Sequence, residues 1–156
     1  LERIGCSRLT EKVMEMAYLV SQQAKRGCIT IVETSSIQEL ATLLAKHNIG
    51  AVVVTSADNR SVGIVSERDI VRYLESAEEP DLNTKVSEIM SPNFISCGLA
   101  TKSSELMELM TEHKIRHVPI LDNDQLVGMV SIGDVVNRLI EIYAEENAQL
   151  RQYINT

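Results

Sequence analysis

Tryptophan is missing from this chain of 156 residues, and the other aromatics amount to one Phe and four Tyr. A core without large rings must be drawn from Ile, Val, Leu, Met and Ala, and a surface without them is poorly equipped to stack unpaired nucleic-acid bases. Cysteine is sparse as well. Cys6, Cys28 and Cys97 form no CxxC pair and leave an odd count, which fits a reducing compartment and reads Cys28 and Cys97 as small buried hydrophobes. Together with His47, His113 and His117 they lack the spacing of a structural zinc site. No apolar run approaches a membrane span and no signal peptide is visible. The chain starts at Leu1 rather than Met, so targeting information could have been lost there, and the expected setting is the cytoplasm or an organelle interior. Basic charge is not in excess either: 15 Lys and Arg face 22 Asp and Glu, a formal charge of -7. That sign disfavours nucleic acid, while a local basic pocket could still take one phosphate.

What is present is an aliphatic, repetitive chain. With 44% hydrophobic and 24% charged residues, disorder is unexpected, and the length suits one domain or two half-sized units. Ser61-Val-Gly-Ile-Val-Ser-Glu-Arg-Asp69 leads into Ile70-Val-Arg-Tyr-Leu74, and Leu126-Val-Gly-Met-Val-Ser-Ile-Gly-Asp134 leads into Val135-Val-Asn-Arg-Leu-Ile140. Gly63, Ser66 and Asp69 thus recur 65 positions later as Gly128, Ser131 and Asp134. An internal repeat defines the folding unit before any single element does.

The periodicity predicts an amphipathic helix over residues 9 to 24, outside the repeat and suited to act as a strap. The first copy reads as a strand at Cys28–Val32, a helix at Ser36–Lys46, a strand at Gly50–Thr55, a turn at Ala57–Arg60, a strand at Val62–Val65 and a helix from Glu67 to Glu75. Ser76–Thr84 is acidic, contains Pro80 and reads as a linker, followed by a brief helical turn over Val86–Met90 that Pro92 ends. The second copy reads as a strand at Phe94–Cys97, a helix at Lys102–His113, a hairpin of His117–Leu121 and Leu126–Val130, and a helix from Ile132 that continues to Ile154. Early positions match at an offset of 66 and later ones at 65, which places a deletion in the second hairpin turn. Neither copy looks self-sufficient, so the pair is the expected minimal fold, with a pseudo-twofold axis and clefts suited to small ligands.

Ser66-Glu-Arg-Asp69 and Ser131-Ile-Gly-Asp134 have the spacing of capping boxes, in which a serine accepts a helix N–H and the acid bonds back. Repetition of the whole strand-to-helix junction favours a ligand site. A helix N-terminus attracts phosphate, a serine hydroxyl can add a donor, and a carboxylate can accept both hydroxyls of a ribose. Cys28–Ile31 with Ile64, and Phe94–Cys97 with Met129, could line a flat apolar slot. Only the second copy places Arg116 and His117 before its hairpin, where Arg116 could bind phosphate through charge-assisted bonds; Arg68 is a second candidate, and the two sites are expected to be unequal.

Gly-Ile-Val-Ser-Glu-Arg-Asp69, Ile115-Arg-His-Val-Pro-Ile120 and Gly128-Met-Val-Ser-Ile-Gly-Asp-Val-Val136 resemble the tandem cystathionine-beta-synthase (CBS) domains of the Bateman module, over about residues 28 to 140. The similarity is greatest to small stand-alone CBS-pair proteins. It implies an α/β fold of two motifs, each a small three-stranded sheet with two helices, related by a pseudo-twofold. The corresponding division is 1–27 strap helix, 28–75 first motif, 76–91 linker and short helix, 92–140 second motif and 141–156 helical extension. It also implies a non-enzymatic regulatory homodimer that binds AMP, ADP or ATP, or else NAD or S-adenosylmethionine, with magnesium only as companion to a polyphosphate. Asp69 and Asp134 would then bind ribose, Ser66 and Ser131 would hold ribose or phosphate, Arg116 and His117 would lie near phosphate, Ile29, Thr30, Ile95 and Ser96 would border the bases, and Pro119 would also belong to the ligand site. The proline often seen after the first strand is absent in both copies, where Val32-Glu-Thr34 and Gly98-Leu-Ala100 stand.

Two other readings compete. An enzyme would need a base beside a nucleophile, and the histidines show no recognised arrangement. A structural or protein-binding module would use both phrases only as caps.

Overall fold

The computed structural model describes residues 27–155, so the helix expected over residues 9 to 24 lies outside them. The chain divides into two compact units, one containing Cys28–Ile95 and the other containing Ser96–Asp122 and the residues from Val127 onward.

In the first unit the order is β1 (Thr30–Val32), α1 (Ile37–His47), β2 (Ala51–Thr55), β3 (Ser61–Ser66) and α2 (Glu67–Ser76). β1 runs parallel to β2, and β3 is antiparallel to it, so β2 is central and buried along its whole length. That is why Ala-Val-Val-Val-Thr shows no polar alternation. α1 starts where Ser36 Oγ accepts the Glu39 N–H at 3.1 Å and Glu39 Oε2 accepts the Ser36 N–H at 2.7 Å. It stops at Asn48, held left-handed at φ 50°, with the Ile49 N–H donated back to the Leu44 carbonyl. Its buried face is Ile37, Leu40 and Leu44, of which Leu40 and Leu44 join an aliphatic core with Ile31, Val52, Val54 and Val65.

Ser76–Thr84 does not hang free. The Ile37 and Gln38 N–H groups, unpaired within α1, are satisfied by the Thr84 and Leu82 carbonyls, and the Tyr73 hydroxyl accepts the Asp81 N–H at 3.0 Å and meets Thr84 Oγ1 at 2.9 Å. A short 3-10 turn, Val86–Glu88, then buries Val86 in the same core. Further on, Ile64 and Ser91 exchange backbone bonds across the edge of β3.

The second unit contains α3 (Ser103–Glu112), β4 (His117–Asp122), β5 (Gln125–Ser131) and α4 (Ile132–Ile154). Its core is Cys97, Leu106, Met110, Val118, Ile120, Val130 and Val135. Here the third strand, expected over Phe94–Cys97, is contracted to one parallel bridge between Cys97 and Ile120. Cys97 N–H donates to the Pro119 carbonyl and Leu121 N–H to the Cys97 carbonyl. The next rung toward Ile95 would require an N–H on Pro119, which proline lacks; Val53 has one at the equivalent place, and there the ladder continues through Thr30. The predicted turn deletion falls where expected. β2 and β3 are joined across residues 56–60 with Asn59 left-handed, whereas β4 and β5 are joined by Asn123 and Asp124 alone, both at positive φ, as in a two-residue hairpin.

Candidate functional site

Two corners repeat in atomic detail. In each, an edge strand ends on a serine with extended backbone, Ser66 or Ser131, and a helix begins on the next residue. The first helical N–H is already satisfied: Glu67 donates to the Gly50 carbonyl at 3.0 Å, and Ile132 to the Arg116 carbonyl at 2.8 Å. Both phrases have the capping-box arrangement, and among the described residues the bond from the helix N–H to the serine hydroxyl is formed at Ser131 and not at Ser66. Asp69 Oδ2 accepts the Ser66 N–H at 2.8 Å and the Ser66 hydroxyl at 2.9 Å. Asp134 Oδ2 accepts the same pair from Ser131 at 2.9 and 2.8 Å, and the Asp134 N–H donates to Ser131 Oγ at 3.2 Å.

Capping thus occupies one carboxylate oxygen and not the other. Asp134 Oδ1 accepts no hydrogen bond among the described residues, while Asp69 Oδ1 has the Arg72 guanidinium 3.6 Å away. Each hydroxyl has a single proton, and both serines direct it at the aspartate. In this arrangement the serine holds the carboxylate in place and does not present a donor outward. A half-buried carboxylate fixed through one oxygen at a helix N-terminus presents its second oxygen as an oriented acceptor, suited to hydroxyl donors.

The other candidates fall around these corners unequally. Arg68 is exposed in the first turn of α2, where the second copy has Gly133. Arg116 is exposed immediately before β4, His117 is half-buried as its first residue, and Pro119 is buried with its carbonyl accepting from Cys97. Ile29 packs against the first core, Thr30 and Ser96 are exposed, and Ile95 is half-buried. Sequence reasoning missed Arg72, although its spacing three residues after Asp69 on one helix face was a usable signal. It also left open what Gly63 is for. A Cβ there would lie 2.6 Å from Met90 Sδ and 2.9 Å from the Ser91 carbonyl oxygen, so the close approach that glycine permits is to the chain's own following segment.

Burial pushes the Cys28 and Cys97 thiols up to about 11, with a hydrogen bond to Thr101 opposing the shift at Cys97. Both cysteines are therefore protonated near neutral pH and suited to packing. Among the described residues no cluster of three or more His, Cys, Asp or Glu is placed to hold a metal ion, and no helix is long and apolar enough to cross a membrane.

Two consecutive strand–helix units with Ser/Asp corners define a repeat module with matched polar sites. The CBS domain family model matches residues 23–76 and 86–141, and the chain belongs to this family. It is 34% identical over 123 residues to the mitochondrial CBS domain-containing protein CBSX3 of Arabidopsis thaliana, covering 76% of this chain and 60% of that protein, so it spans about three fifths of the relative's length. Among solved structures it resembles the CBS domain protein PAE2072 of Pyrobaculum aerophilum complexed with AMP, with a TM-score of 0.69, 34% identity, and coverage of 78% of this chain and 98% of that one. It also resembles the CBS domain pair of protein MJ0100 in complex with 5'-methylthioadenosine and S-adenosyl-L-methionine, with a TM-score of 0.65, 29% identity, and coverage of 73% and 88%.

Proposed function

We propose that this chain is a non-enzymatic regulatory module that binds an adenosine-containing ligand, with AMP, ADP or ATP as the foremost class, and conveys occupancy to a partner protein as a homodimer. The observation that carries the reading is the repeated corner in which a serine fixes one aspartate oxygen and leaves the other directed away from the cap. Asp134 is the stronger of the two ribose ligands, because among the described residues its second oxygen has no competing cation while that of Asp69 faces Arg72. Arg116 and His117, found only beside the second corner, suit a phosphate. Ile29, Thr30, Ile95 and Ser96 border the base. Similarity to proteins complexed with AMP and with S-adenosyl-L-methionine supports the ligand class and leaves its member open. Any magnesium would enter with a polyphosphate.

A ligand acts on a regulated partner only through unequal affinity for two arrangements of the protein. Isothermal titration with AMP, ADP, ATP, NAD and S-adenosylmethionine, repeated on Asp134→Ala, tests the reading. Saturable binding to at least one, lost in the variant, is the expected result; no binding by any of the five sinks it. The formed capping boxes favour a second reading, in which the corners serve stability alone. That reading expects Asp134→Ala to lower thermal stability and leave any ligand affinity unchanged.

A further inference from the structure

We propose that the outer face of α4 joins two copies of this chain as a short parallel coiled coil. α4 packs on its own unit through Val135 and Leu139, and Ile142 further along is buried as well. At about 100° per residue, a second line runs roughly a quarter turn away from that face. It consists of Val136, Ile140, Tyr143, Asn147, Leu150 and Ile154, separated by alternating steps of four and three. All six are exposed, Tyr143 at 63% and Ile154 at 81%. A helix whose only task was to cover its own unit would carry polar residues here.

Alternating steps of four and three are the seam of a heptad. Ile140, Asn147 and Ile154 take the first core position, and Val136, Tyr143 and Leu150 the second. Ile140 and Ile154, β-branched, at the first position and Leu150 at the second favour two parallel strands, and the lone Asn147 at the first selects the register in which it meets its own copy. The flanking charges agree. Glu146 and Arg151 occupy the two positions beside the seam, five residues apart, so in a parallel pair each glutamate faces the other copy's arginine. An antiparallel pair would set glutamate against glutamate. Because the face carries both partners of the charge pair and a polar core residue that matches itself, its occupant is a second copy and not an unrelated helix. The 23-residue helix is already formed and anchored at Val135 and Ile142, which removes the nucleation cost that weakens short coiled coils.

This deepens the homodimer of the preceding reading and is independent of its ligand. Sedimentation equilibrium of the full chain across micromolar concentrations is expected to give a dimer. Leu150→Glu combined with Ile154→Glu, at exposed positions, should weaken association by about tenfold or more with unchanged helix content. Asn147→Cys should oxidise to a disulfide-linked dimer, whereas Glu145→Cys, on the side away from the seam, should not. A full chain that stays monomeric, a double variant that associates as tightly as the parent, or equal cross-linking at 145 and 147 overturns the proposal. Because neither Leu150 nor Ile154 belongs to the Ser/Asp corners, ligand titration of the double variant separates failure of this interface from failure of the nucleotide reading.

Discussion

Asp134 combines a structural and a chemical capacity in one carboxylate. Its Oδ2 completes the N-terminus of α4 and its Oδ1 remains oriented, so one substitution should move two observables by different routes. Asp134→Ala removes the cap acceptor and should cost about 1 kcal/mol, read as a fall of a few degrees in thermal midpoint, and should also abolish nucleotide binding. Ser131→Ala should cost a similar amount and weaken binding only through the lost support of the aspartate. Gly63 presents a purely structural case. Gly63→Ala brings a Cβ against the Ser91 carbonyl, and backbone must give way; a loss of about 1 to 3 kcal/mol in urea denaturation is expected. At the thiols the sign follows from burial. A folded pKa of about 11 against an ordinary thiol value of 9.0 favours the neutral thiol, so the associated stability is intact below pH 9 and is lost as pH rises toward 11. Alkylation of Cys97 in the folded protein should accordingly be slow at pH 8 and rise about tenfold per pH unit until that range.

Among the elements, α1 and α3 end in the same way although their last residues differ. Asn48 and Lys114 both take left-handed backbone, and Ile49 and Ile115 both donate back to a carbonyl five residues earlier. Asparagine tolerates this conformation and lysine does so at a cost, so Lys114→Gly should raise stability by about 0.5 to 1 kcal/mol, measured by thermal or chemical unfolding. The start signals Ser36, Ser66 and Ser131 were legible because a cap depends on residues three apart. The strand over Phe94–Cys97 was legible as a type and not as a length. Its reduction to one bridge depends on an absent N–H on Pro119, more than 20 residues away, which local periodicity does not register.

For the molecule as a whole, two aliphatic cores follow from two copies. Each has a fully buried leucine at the centre of a helix face, Leu40 and Leu106, and truncating either to alanine should cost about 2 to 5 kcal/mol. A bound nucleotide works in the opposite direction. At a hundredfold excess over its dissociation constant it should add about 2.7 kcal/mol to stability and raise the thermal midpoint by roughly 5 °C or more, a shift that Asp134→Ala should erase.

By itself the amino-acid sequence determined the repeat, the order of strands and helices, the aliphatic character of the cores and the place of the turn deletion. All of these are carried by side-chain type and short-range spacing. The tertiary structure decided which oxygen of each aspartate is committed, that Arg72 faces one of them, that Met90 and Ser91 lie against Gly63, and that the segment after α2 completes the N-terminus of α1. These depend on where a carbonyl, a guanidinium or a thioether arrives after the chain has turned back on itself, and spacing along the chain does not encode that arrival.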